Sequence, residues 1–228
     1  MADYDGDGRT DLISGTPCCQ HPPCFHVFQR QKDGSFGPRR RVNLDYPKDV
    51  TLPFMGLQTR VAVTDWNGDG VPDVVIGGYF AVLGVAYGPL AGKDRLTVER
   101  VWPKGKEPFR HMTTNPCVAD WDGDGLPDLI VGGSTDKRPG VPWQDVVKSR
   151  GVYWLRNIGT KRAPKLAEPR LLIADDAPWS DITGICVADW NGDGRPDLIV
   201  SRHERYRVGE GSYSTRKQHV WVYLRRAR

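Results

Sequence analysis

Several kinds of chemistry are missing from this 228-residue sequence. It contains no G-x-S-x-G turn and no nucleophile with a base set beside it, and His111, His203 and His219 share no spacing that would make a catalytic pair. These absences give no support to hydrolytic chemistry. Cysteine is scarce, five in all, and three of them (Cys18, Cys19 and Cys24) crowd into one short insert with His21 and His26. That spacing matches no standard zinc motif. A disulfide from Cys24 to Cys18 or Cys19, or simple free thiols, is the stronger expectation. A long apolar segment is also lacking, with one apparent exception. Residues 74–92 are uncharged, but they include five glycines and a proline and directly follow Asp73, so they read as two strands joined by a tight turn around Gly84 rather than a membrane helix. No export signal precedes Asp3.

Acidic residues are few as well, except in four places. The nine-residue segments beginning at Asp3 (DYDGDGRTD), Asp65 (DWNGDGVPD), Asp120 (DWDGDGLPD) and Asp189 (DWNGDGRPD) hold fourteen of the 28 Asp and Glu, leaving fourteen to offset the 32 Lys and Arg of the chain. Each segment, numbered here loop 1 to loop 4, sets oxygen side chains at positions 1, 3, 5 and 9 and glycine at 4 and 6, then runs into an apolar stretch (LIS, VVIG, LIVG, LIVS). At about 4 Å and an effective dielectric of about 20, each carboxylate pair repels by roughly 4 kcal/mol. Such crowding calls for a cation. The donors are all hard oxygens, which selects Ca²⁺ over zinc, copper or iron. The expected ligands are Asp3, Asp5, Asp7 and Asp11; Asp65, Asn67, Asp69 and Asp73; Asp120, Asp122, Asp124 and Asp128; and Asp189, Asn191, Asp193 and Asp197. The carbonyls of Arg9, Val71, Leu126 and Arg195 at position 7 would complete the shell. An EF-hand is excluded because position 12 holds Ser14, Ile76, Val131 and Val200 where that motif needs a bidentate Glu. The two loops with four carboxylates should hold the ion more tightly than the two with Asn67 and Asn191.

These residues carry a family resemblance. The four loops, with Gly151-Val-Tyr-Trp-Leu-Arg-Asn-Ile-Gly159 and Asp33-Gly-Ser-Phe-Gly37, resemble the FG-GAP/VCBS repeats of integrin-α-like β-propellers. The resemblance implies blades that carry a calcium loop between their first two strands. It is unspecific for role, since propellers of this kind serve adhesion, sugar binding and enzyme scaffolding. With 26 Gly, 18 Pro and many short β-branched and aromatic runs, the expected fold is all-β. The expectation is one domain spanning 1–228, with about four blades at roughly 1–58, 59–113, 114–182 and 183–228. The first repeat lacks the apolar lead-in of the others, and the last stops before its fourth strand, which suggests a piece of a larger propeller.

Shared residues belong to the scaffold and variable ones to recognition. Tyr4, Trp66, Trp121 and Trp190 occupy position 2 of the loops and should wedge blade against blade. Cys117 and Cys186, each three residues before a first aspartate, should be buried, unreactive and not bonded to each other. The connections between second and third strands vary most and should open on the face opposite the metal loops. Those of the third and fourth repeats carry Lys137, Arg138, Trp143, Asp145, Lys148 and Arg150, then Arg202, His203, Arg205, Tyr206, Arg207, Tyr213, Arg216 and Lys217. Trp143, Arg202, His203, Arg205, Tyr206 and Tyr213 are the candidate ligand contacts, because arginine with aromatics suits anions and sugars. Together with the basic surface they favour an acidic polysaccharide or protein partner; no nucleic-acid motif accompanies them. The expected function is an extracellular or periplasmic, calcium-stabilised binding or adhesion module. The alternative is the propeller portion of an exported polysaccharide-degrading enzyme.

Overall fold

A computed structural model describes residues 1–16, 22–50, 59–78, 83–102, 109, 112–135, 151–174, 180–207 and 213–225, with backbone alone for 112, 134, 135, 180, 181, 203–207 and 213–217. Among them every regular element is a strand. Blade 1 is built from β1 (Leu12–Ser14), β2 (Cys24–Phe28) and β3 (Arg40–Asp45). The second repeat supplies β4 (Arg60–Thr64), β5 (Asp73–Gly77), β6 (Gly84–Ala86), β7 (Arg95–Thr97) and β8 (Glu99–Arg100). Blade 3 contains β9 (Met112–Ala119), β10 (Asp128–Thr135), β11 (Gly151–Leu155) and β12 (Arg170–Ala174), and blade 4 contains β13 (Ser180–Ala188), β14 (Asp197–Arg207) and β15 (Tyr213–Tyr223).

The strands form four separate sheets, ordered β1-β2-β3-β7, β4-β5-β6-β8, β12-β11-β10-β9 and β13-β14-β15, which stand around a common axis as the blades of a β-propeller. The inner strands β4, β9 and β13, with β1 of the first blade, line an axial cavity of about 590 Å³. Successive blades pack face to face through three apolar clusters, first to second, second to third and third to fourth. A strand enclosed between two neighbours has no wet face, so its sequence is continuously apolar rather than alternating. That is why β5 (DVVIG) is buried at every position. The close approach leaves no room for side chains at some points. A Cβ added to Gly77 in β5 would lie 2.7 to 2.8 Å from Thr114 and Pro116 of β9.

Three sequence expectations are corrected here. Gly84 opens β6 instead of sitting in a turn, because the Glu99 carbonyl of β8 comes within 2.6 Å of where a Cβ would be, so the glycine permits strand contact. The segment 201–218 is not a long loop: β14 runs to Arg207 and pairs with β15 from Tyr213, so Arg202, His203, Arg205, Tyr206 and Tyr213 all belong to a hairpin. Third, Cys186 is exposed and Cys117 beside it is only partly buried. Burial, and to a lesser degree the neighbouring Cys186, pushes the Cys117 thiol up.

One pairing has no counterpart in the sequence reading. Strand β7 leaves its own repeat and adds to blade 1 in parallel beside β3, with Asn43, Leu44 and Asp45 opposite Arg95, Leu96 and Thr97. An Arg95–Asp45 ion pair and burial of Leu96 accompany it. Among the described residues, the place of an innermost strand in blade 1 holds the isolated bridge Ala2–Asp11.

Candidate metal centre

Loops 2, 3 and 4 join the first two strands of their repeats at one end of the blade, loop 1 leads into β1 in the same way, and the backbone of each follows from two glycines. In every loop the residues at positions 4 and 6 have φ between 65° and 89°, a left-handed conformation that side chains with a Cβ rarely adopt. The chain therefore folds back on itself, and the oxygens at positions 1, 3 and 5 end up on its inner side.

The first aspartate organises the turn. Asp3 Oδ1 accepts from the amides of Gly6 (2.8 Å) and Asp7 (3.1 Å), and its Oδ2 accepts from Gly8 (2.9 Å). Asp120 and Asp189 make the same three bonds, and Asp65 accepts from Asp69 and Gly70. At position 5, one oxygen accepts from the amide two residues on in all four copies.

Position 9 does something the spacing did not reveal. Asp11, Asp73, Asp128 and Asp197 are fully buried. Each accepts through Oδ2 from the amide at position 2 of its loop and through Oδ1 from the backbone just past the third strand, at Arg30, Gly88, Asn157 or Arg225, over 2.7 to 3.2 Å. The carboxylate thus ties the loop to the third strand. Burial pushes the carboxyls of Asp73 and Asp128 above the usual range, while these amide donors pull the other way. An aspartate oxygen has two lone pairs, so the tie leaves capacity for a cation.

Among the described residues, carboxylates of Asp3, Asp5 and Asp11, and of Asp120, Asp122 and Asp124, offer oxygens within 4.8 Å of one another. Side-chain donors meet this negative charge differently in the two kinds of loop. In the Asn loops the amide turns inward: Asn67 Nδ2 donates to Asp69 at 3.0 Å, and Asn191 Nδ2 to Asp193 at 3.1 Å. In the all-Asp loops arginine and glutamine side chains reach in. Arg9 pairs with Asp7, Gln29 donates to Asp5, and Arg156 from just beyond β11 contacts Asp122 at 2.7 Å and Asp124 at 3.1 Å. Sequence reasoning missed Arg156, which lies 28 residues past the loop; the only signal was an arginine directly after a third strand. One oxygen in loop 3 has no partner at all, because Asp122 Oδ1 is buried without a hydrogen bond. Hard oxygens, clustered and one of them unsatisfied, fit a calcium ion.

Other candidates fare variously. Arg202 stacks over the Trp221 ring at 6.0 Å on the β14–β15 hairpin, whose connection lies at the end of the blade away from the loops. The side chains of His203, Arg205, Tyr206 and Tyr213 lie outside the described ones, as do Trp143 and the rest of 136–150, Cys18 and Cys19. Cys24 is a buried free thiol.

The loop-plus-strand unit is matched by the family profile for the FG-GAP-like repeat over residues 3–76 and 120–200, most of the chain. The chain belongs to the FG-GAP-like repeat family. This FG-GAP chain is 24% identical over 200 residues to the phosphatidylinositol-glycan-specific phospholipase D of Bos taurus, an alignment covering 87% of the chain and 17% of that enzyme. The Mus musculus enzyme of the same name aligns at 24% identity over 88% of the chain and 17% of the enzyme. The chain therefore spans about a sixth of the length of these relatives. Of solved structures, the Tc holotoxin pore of Photorhabdus luminescens aligns over 97% of the chain and 9% of that chain, at 22% identity and a TM-score of 0.43. No helix among the described residues is long and apolar enough to cross a membrane.

Proposed function

We propose that this FG-GAP propeller is a calcium-stabilised module that binds an acidic polysaccharide or an acidic protein surface outside the cytosol. The observation that carries the calcium reading is loop 3: three carboxylates with oxygens within 4.8 Å and one buried oxygen lacking any donor. The side chains at positions 1, 3, 5 and 9 of each loop, with the carbonyls of Arg9, Val71, Leu126 and Arg195, are the ligands. When bound, the ion supplies positive charge that offsets carboxylate repulsion and fixes the turn. Millimolar calcium outside cells suits open loops of this kind.

Recognition is assigned to the end of the blades opposite the metal loops. Support comes from the basic balance of the chain outside its loops and from Arg202 over the Trp221 ring, midway along the hairpin that leads to that end. Calorimetric titration of chelator-treated protein with Ca²⁺, followed by binding to immobilised pectin, heparin and neutral dextran, tests both parts. Saturable heat together with retention on the acidic polymers alone is expected. Absence of calcium heat ends the first part, and equal retention on dextran ends the second.

The likeness to a phospholipase D favours a second reading, in which the module belongs to a larger exported enzyme and presents it to its substrate. On that reading the substrate need not be a polysaccharide and includes a glycan carried on a phospholipid. Hydrolysis of such a substrate by the parent protein but not by this chain alone would select it.

A further inference from the structure

Two polar groups near the axis of the propeller are left unsatisfied. Arg60 opens β4 and Asn115 lies midway along β9, each five residues before the first aspartate of its loop, so the two hold equivalent places in blades 2 and 3. Both belong to blades with a neighbour on either side, and both stand toward the end away from the metal loops. The blades are pressed tightly together there. Arg60 and Asn115 are in register with Gly77 and Gly132. A Cβ added to Gly77 would lie 2.7 Å from Thr114, and one added to Gly132 would lie 2.5 Å from Ile185. Packing alone therefore fixes the strands that carry the two side chains, before any ligand arrives.

Asn115 is 4% exposed. Its Nδ2 donates to the Ile182 carbonyl at 2.8 Å, and because a carbonyl can only accept, this settles which way the amide faces. Its Oδ1 is left buried with no donor. Arg60 is the complement, with Nε buried and no acceptor beside it. Burial draws the guanidinium's ionisation below its usual range, and no carboxylate among the described residues offsets this. Buried polar groups are nearly always paired, and a buried charge without a partner is the costlier exception. Both side chains line the axial cavity of about 590 Å³, a size common to small-molecule sites. No acidic residue lines it, and Val61, Pro116 and Ile185 give it apolar wall. Gly184, the equivalent of Arg60 and Asn115 in blade 4, adds no side chain to the space.

A ligand that satisfies both groups must bring an oxyanion and a hydroxyl together on a partly apolar frame. A guanidinium presents its N–H groups in a fork that matches two oxygens of a carboxylate or sulfate, whereas a lone amide oxygen calls for a donor. An acidic sugar has this combination, with the C–H face of its ring to meet the apolar wall. We propose that the axial cavity seats one acidic sugar unit, its carboxylate or sulfate on Arg60 and a ring hydroxyl donating to Asn115 Oδ1. The assignment rests on the acidic-polysaccharide reading of function and moves the anchoring contact from the β14–β15 hairpin to the axis.

Calorimetric titration of the chain in millimolar calcium with galacturonate, galactose 6-sulfate and galactose tests this. Saturable heat is expected with one or both acids and none with galactose, and the tighter acid identifies the oxyanion. R60Q should weaken that acid by at least about tenfold, and N115A by about fivefold. R60Q removes an unpaired buried charge, so its melting temperature should not fall below that of the wild type. N115A gives up the bond to Ile182, so a second readout uses the wild-type chain: the Arg60 Nε–H resonance, identified by its loss in R60Q, should move with the acid and stay put with galactose. Equal affinity in R60Q and wild type overturns the axial site, as does a resonance that stays put while heat is released, since the acid then sits elsewhere. Absence of heat from both acids overturns it too. In that case retention on pectin or heparin shows that the wider reading survives, and loss of retention shows that both fall.

Discussion

At the level of single residues, the loops solve an electrostatic problem with whatever donors stand nearby. Arg156 contacts both Asp122 and Asp124, and these carboxylates push its own ionisation further above the usual range. A cation entering loop 3 must displace it. Substituting Arg156→Gln should therefore tighten calcium at that loop by up to about fivefold, the scale of an exposed ion pair, as read by calorimetry on a background with loop 1 disabled. An unchanged affinity would show that the guanidinium does not compete. The cysteines give a second test. Burial pushes the Cys117 thiol up to about 11, so at pH 8 only about one molecule in a thousand carries the reactive thiolate. Alkylation followed by peptide mapping should label exposed Cys186 first, with Cys117 at least about a hundredfold slower. Both sites were legible as loop chemistry and as a repeated small residue. The difference between the two cysteines was not, because it depends on which blade packs over each strand, as blade 4 does over Cys117. Likewise the four carboxylates at position 9 were expected as ligands from their spacing, whereas their ties to the backbone past the third strand depend on a hairpin that closes fifteen or more residues away.

For the elements, the strands were readable wherever a strand is covered on both faces, since VVIG and LIVG allow little else. The departures came where glycine or polar residues permit two conformations. Gly84 looks like a turn residue in sequence and serves as a strand residue because β8 approaches so closely. The β14–β15 hairpin is rich in Arg, Tyr and Ser, a composition that suits a loop, yet backbone pairing carries it on to Arg207 and Tyr213. Interblade wedging can be measured directly. Trp66→Ala removes a large side chain from a closed cluster and should lower unfolding free energy by about 3–5 kcal/mol. Trp190→Ala, at a side chain that is 63% exposed, should change it by less than about 0.5 kcal/mol. Urea denaturation of both variants checks the contrast. Equal losses would mean that Trp190 is covered.

On the scale of the whole molecule, a propeller of this kind is held by neighbours, each blade depending on the next. Under the proposed calcium reading, the ion would add to that by binding the folded loops in preference to the unfolded chain. Filling one site at about a hundred times its dissociation constant contributes about 2.7 kcal/mol. In a chain of this size each kcal/mol is worth roughly 2–4 °C. The melting temperature in millimolar calcium should accordingly exceed that in chelator by several degrees, and by more as further loops fill. Scanning calorimetry in the two buffers decides this, and superimposable traces would count against metal in the loops.

Strand β7 sets a limit on how the molecule can come apart. It is encoded in the second repeat but completes the sheet of the first, so neither can be lost while the other stays whole. A chain pulled from its ends should shed its last blades one at a time and then give way across the first hundred residues in a single rupture. A fragment containing only residues 1–58 should be an orphan sheet, digested by protease as readily as an unfolded peptide.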